Sequence, residues 1–254
     1  MILYQHILLI TSFFISTTKP PVKGTDIFTY KIGATVIQLE KASFEGSSSL
    51  SFVHLHDNEI TASSAADSVL TAKGGIVLSI NNNQERLMKF KYGNRYYLFD
   101  PNRIFTPQGR ATTLKKLSIY NKSAAIELQK FAGYFLKKIE NQKTIISIHN
   151  NTNDAYSIKS YLKGGALYKE AKLVYVNEEL DVDDFFITTD KYLFQKLKDE
   201  DFNVVLQNNN NVTDDGSLGI YYGKRNKSYV NVESEHGHLQ QQIQMLSALA
   251  AVVE

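Results

Sequence analysis

The chain contains no cysteine, which excludes disulfides and thiolate chemistry and leaves histidine and carboxylates as the only strong metal donors. It also lacks a polybasic tail or a basic-aromatic stripe. Its 28 basic and 26 acidic residues are spread along the sequence for a formal charge of +2, which argues against nucleic acid as a partner. No apolar run is long enough to favour a spanning helix in the mature chain. No internal repeat and no linker long enough to separate domains is evident. Histidine is scarce, at six residues.

What is present fits one large domain. A chain of 254 residues with 43% hydrophobic content can bury a substantial core. Its first residues have the order of a secretory signal: an apolar stretch from Ile7 to Ile15 broken only by Thr11 and Ser12, small polar residues, then Lys19-Pro20-Pro21. The n-region has no Lys or Arg, and a buried first strand is the competing reading. The expectation is a signal over 1–18 and a single domain over 19–254, secreted or periplasmic, and cytoplasmic if no signal operates.

Strand-like and helical segments alternate, as in an α/β fold with a mixed, mostly parallel twisted sheet covered by helices on both faces. Strands are expected at 25–41 (a pair), 49–56, 75–80, 143–149, 171–176, 202–206 and 229–232. Helices are expected at 60–73, 123–141, 189–199 and 239–253. Residues 81–113 carry few helix signals and read as a long functional loop region.

Two histidines fall at expected strand ends, where open α/β sheets carry their chemistry. Ser49-Leu-Ser-Phe-Val-His-Leu runs into His56-Asp-Asn-Glu59, and Thr144-Ile-Ile-Ser-Ile runs into His149. A turn opening a helix can bring His56 and Glu59 to one point, and a third ligand from another strand would leave a position for water, the open arrangement of catalytic zinc. By itself His-x-x-Glu is common, and a solvated surface turn produces the same spacing. Arg95 and the pair Asn102-Arg103 offer guanidinium groups suited to gripping a carboxylate or stabilising an oxyanion, or to pairing with Asp100. Glu233 ends a strand where a carboxylate could act as general acid/base, with Glu235 as its competitor. His54, His236 and His238 read as structural or surface residues.

Taken together these elements resemble the aspartoacylase and succinylglutamate desuccinylase family of the zinc carboxypeptidase-like fold. His56-Asp-Asn-Glu59-Ile-Thr-Ala resembles its His-Gly-Asn-Glu-Thr-Ala, Asp100-Pro-Asn102-Arg103-Ile-Phe its Asp-Leu-Asn-Arg-Ile-Phe, and Ile148-His149-Asn-Asn-Thr its Leu-His-Asn-Thr-Thr. The resemblance implies one zinc ion on His56, Glu59 and His149, with Glu233 as acid/base and Arg95 polarising the scissile carbonyl. It implies substrate contacts from Asn102, Arg103, Tyr221 and Arg225. The implied reaction is cleavage of an amide next to a substrate carboxylate, in a peptide or an N-acyl amino acid. A catalytically silent relative that binds peptide or glycan is the alternative. Asp57 replaces the family's glycine, and is either a partner orienting a histidine or solvated. The chain ends about 20 residues past Glu233, without the second domain that narrows the site in aspartoacylase, so a more open cleft is expected.

Overall fold

A computed structural model describes residues 22–152 and 156–253. The expected signal segment, 1–18, lies outside the described residues. In chain order the elements are β1 (Val22–Ile32), β2 (Thr35–Phe44), β3 (Ser51–His54), α1 (Ile60–Lys73), β4 (Gly75–Asn81), β5 (Met88–Tyr92) and β6 (Arg95–Phe99). Then follow α2 (Pro107–Leu117), α3 (Lys122–Ile139), β7 (Thr144–Asn151), β8 (Ala171–Tyr175), β9 (Phe185–Thr188), α4 (Lys191–Asp199), β10 (Val204–Gln207), α5 (Leu218–Gly223), β11 (Ser228–Glu235) and α6 (Leu239–Val253).

Nine strands form one sheet in the order β1-β2-β4-β3-β7-β11-β9-β10-β8. It is parallel through β4, β3, β7 and β11, with antiparallel pairings towards both edges. This is the mixed α/β class expected. The central strands are buried on both faces and read accordingly as apolar runs such as Thr-Ile-Ile-Ser-Ile in β7.

Helices cover both faces for reasons visible in their spacing. In α1, Ala62, Ala65, Ala66, Val69 and Leu70 recur at helical period and are buried; with α4 and α6 they cover one face. On the other face Leu128, Phe131, Phe135 and Ile139 of α3 pack with Phe90 and Phe99. Side-chain oxygens of Thr106, Asn121 and Asp190 accept from Gly109, Ala124 and Tyr192 backbone N–H groups and so start α2, α3 and α4.

Residues 81–113 depart from the expected loop. They hold the two-stranded hairpin β5–β6, a 3-10 turn at Pro101–Arg103 and most of α2. Met88, Phe90, Tyr97 and Phe99 alternate inward onto the core, a period-2 pattern too short to stand out between Lys, Arg and Asn. Two further elements escape the sequence reading, β9 and α5, each only a few residues long. Among the described residues no helix is long and apolar enough to cross a membrane.

Candidate active site

The carboxyl ends of the parallel strands β3, β7 and β11 lie side by side and open into a cleft of about 970 Å³. β7 carries His149 and β11 carries Glu233, which are direct neighbours in the parallel register. Two residues beyond β3, a turn closed by Glu59 N–H donating to the His56 carbonyl at 3.0 Å brings His56 and Glu59 together. Glu59 stands at the start of α1 but makes no capping hydrogen bond with its side chain. Its carboxylate is directed at the histidines instead.

His56, Glu59 and His149 are all buried and meet at one point. Nδ1 of His56 lies 3.0 Å from Glu59 Oε1 and Nδ1 of His149 lies 2.9 Å from Oε2, while the two Nδ1 atoms are 3.2 Å apart. A tetrahedral ion with bonds of roughly 2.0–2.1 Å needs donors separated by about 3.3 Å, so this donor set fits one divalent cation. The outward nitrogens are held as well: His56 Nε2 lies 2.8 Å from Asp100 Oδ1, and His149 Nε2 lies 2.9 Å from the buried Ser147 hydroxyl. Partners of this kind fix the tautomer and ring orientation that a metal requires.

Electrostatics follow the geometry. Burial raises the Glu59 carboxyl, but the adjacent His149 and His56 outweigh it and hold the group well below the usual range. Burial lowers His56, and the Glu59 and Asp100 carboxylates reverse this and lift it to about 8. Burial raises Glu233, against the attraction of His149; its Oε1 accepts from Asn231 Nδ2 at 2.8 Å.

Of the residues singled out in the sequence, His56, Glu59, His149, Asn102, Arg103, Glu233 and the exposed His236 line the cleft. Asn102 is as much a tie as a contact: its Oδ1 accepts from the Leu218 N–H that opens α5. Arg103 donates to the Asn102 carbonyl at 2.8 Å and lies 3.6 Å from Asp215. Glu235 does not line the cleft; its carboxylate is 3.4 Å from His238. His54 is a buried structural histidine, its Nε2 3.1 Å from the Glu59 carbonyl.

Three residues are not brought to the cleft. Arg95 opens β6, exposed and opposite Tyr92 beside the hairpin turn, at the other end of the strand from Phe99 and from Asp100, whose carboxylate reaches His56. Tyr221 packs toward Phe105, and Arg225 stacks over the Tyr221 ring at 3.6 Å. The arginine beside the two histidines and Glu59 is Arg86, ion-paired with Glu59. Its loop is turned by Asn83 and Gln84 at positive φ and clamped by Asp57, which accepts from the Asn82 and Gln84 N–H groups at 2.7 and 2.9 Å. Asp57 therefore orients a loop, and Asp100 does the orienting of His56. The cue in the sequence is the Asn81-Asn82-Asn83 turn at the carboxyl end of β4, next to β3. Tyr156 and Tyr161, whose hydroxyls hydrogen-bond each other, also line the cleft, and no periodicity marks them.

No family model matches the chain, and no curated protein sequence matches it. Solved structures of similar fold include murein-tripeptide amidase MpaA from Escherichia coli O157, at 11% identity over 92% of this chain and 93% of that one, TM-score 0.47. A succinylglutamate desuccinylase from Silicibacter sp. TM1040 aligns at 13% identity over 89% and 64%, TM-score 0.44. An aspartoacylase family protein from Mesorhizobium loti aligns at 13% identity over 93% and 69%, TM-score 0.43.

Proposed function

We propose that the protein is a zinc-dependent hydrolase that cleaves an amide bond next to a substrate carboxylate. The observation that carries this reading is the convergence of His56 Nδ1, His149 Nδ1 and the Glu59 carboxylate beside Glu233 in an open cleft. When bound there, a zinc ion supplies Lewis acidity for a carbonyl oxygen and lowers the pKa of water. Glu233, its proton affinity raised by burial, accepts the proton of the attacking water and returns it to the leaving nitrogen.

Arg86 takes the role expected of Arg95. Its guanidinium, already at Glu59 Oε1, is available to a developing oxyanion. Arg103 grips the substrate carboxylate, with its backbone carbonyl wedged against Gly109 and Gly216. A Cβ on either glycine would come within 2.6 Å of that oxygen. Asp100 and Ser147 keep the histidine rings in place. With the expected export signal, the substrate belongs outside the cell, where a peptide fits this clamp better than a cytosolic acylated amino acid.

The test pairs elemental analysis of wild type and His149→Ala with activity on N-acyl amino acids and short peptides. Stoichiometric zinc that is lost in the variant, with cleavage abolished by Glu233→Gln, is the expected result. A well-folded wild type that stays metal-free under zinc-replete purification would sink the proposal.

A further inference from the structure

Beyond the metal ligands, the cleft continues into a recess walled by β9, β11 and the chain between β10 and α5. Its polar groups are uneven in kind. Asn231, two residues before Glu233 on the same face of β11, spends its N–H on Glu233, and its buried Oδ1 has no partner among the described residues. Gln207 likewise spends its N–H groups on Asn209 Oδ1 at 3.0 Å and the Gly219 carbonyl at 3.3 Å. Gln207 thus has both N–H groups engaged, and Asn231 is oriented by its bond to Glu233 with Oδ1 left as a buried, unpaired acceptor.

The charges lean the same way. Glu170, Asp215 and Glu233 all act on the hydroxyl of the buried Tyr161. Glu170 is held by Thr213, whose N–H and hydroxyl each donate to it at 2.6 Å. Of the cations lining the cleft, Arg103 lies 3.6 Å from Asp215 and Arg86 is paired with Glu59. Once a substrate carboxylate occupies Arg103, Asp215 shares that cation, and Glu170 has no ion pair among the described residues. Leu167, Ile187, Val212 and Ile220 supply apolar walls beside them, suited to the methylene stem of a long side chain with a charged head.

Resting on the hydrolase reading above, we propose that this recess selects a substrate whose carboxylate-bearing residue ends in an amino or guanidino group. An acidic side chain meets carboxylates and amide oxygens with nothing to offer them. An aliphatic one leaves the Asn231 oxygen unpaired.

The test compares kcat/KM for lysine, norleucine and glutamate derivatives bearing one common acyl group, alongside calorimetric titration of free L-lysine and L-norleucine. Lysine and norleucine differ by the ammonium group alone. Preference for lysine by about tenfold or more is expected, the scale of one charge-assisted hydrogen bond, and Asp215→Asn and Glu170→Gln should each reduce the lysine-to-norleucine ratio several-fold. Equal or faster cleavage of the norleucine or glutamate derivative would overturn the inference while leaving the hydrolase reading intact. If no derivative is cleaved, the hydrolase reading is what has failed on this panel, and the titration decides the recess. Tighter binding of lysine then supports the inference, and equal or weaker binding overturns it.

Discussion

His56 and His149 each turn one ring nitrogen towards Glu59 and are gripped by the other, His56 by Asp100 and His149 by Ser147. Removing either grip leaves the donors but frees the ring. Asp100→Asn and Ser147→Ala should each weaken zinc binding about 10- to 100-fold, measured by chelator competition with the far-ultraviolet circular dichroism spectrum unchanged. The two arginines divide just as clearly. Arg86→Ala should lower kcat by about 10²- to 10³-fold, the usual loss for an oxyanion donor, and Arg95→Ala should leave it within about twofold; the reverse pattern would return the role to Arg95. The four central residues were legible because the spacing His-x-x-Glu and the strand ends are local features of the sequence. Arg86 was not, since a loop bent by two left-handed residues and an Asp57 clamp delivers it, and none of this leaves a periodic trace. Tyr156 and Tyr161 reach the cleft through long-range packing alone.

Helices with sustained apolar spacing could be read almost to the residue. The element α1 was expected at 60–73 and spans Ile60–Lys73, and α6 was expected at 239–253 and spans Leu239–Val253. The short elements β9 and α5 could not, because they owe their form to neighbours: β11 and β10 for the first, and Asn102 with the Ser217 cap for the second. The loop before α5 is itself anchored by Asp214, whose carboxylate accepts from the Thr106 hydroxyl and Lys224 Nζ, both at 2.6 Å, and from Gly216 N–H at 3.1 Å. Burial raises this carboxyl, but these partners outweigh it and leave it below its ordinary value. A carboxyl depressed on folding stabilises the native state above its unfolded value of about 3.9, and that contribution fades as pH falls through the lower folded value. Asp214→Asn should therefore melt below wild type at pH 7, with the gap closing as the pH is lowered below about 4. A gap of constant size across that range would count against the ion-paired anchor.

Across the whole molecule, the candidate metal site and the fold are linked. His56 and Glu59 come from the turn between β3 and α1 and His149 from β7, and Gln242 of α6 donates to the His149 carbonyl at 2.9 Å. A cation that binds only the native state should raise thermal stability by mass action, about 4 kcal/mol at a thousand-fold excess over its dissociation constant. Calorimetric scans with zinc and with chelator should show that shift in wild type and none in His149→Ala. The apolar layer beneath α6 is a separate support, and Leu246→Ala, deleting a fully buried side chain, should cost about 2–5 kcal/mol in denaturant unfolding.

The strand order has a consequence for synthesis. β11 follows β7 and β9 in the chain, yet it lies between them in the sheet. Until it arrives, one long edge of β7, including the segment that bears His149, stays unpaired. A nascent chain up to α5 is therefore an open half-sheet with apolar surface and no finished cleft, the kind of intermediate that calls on chaperones. His56, Glu59 and His149 can meet before β11 is made, but Glu233 joins them only once β11 has been added.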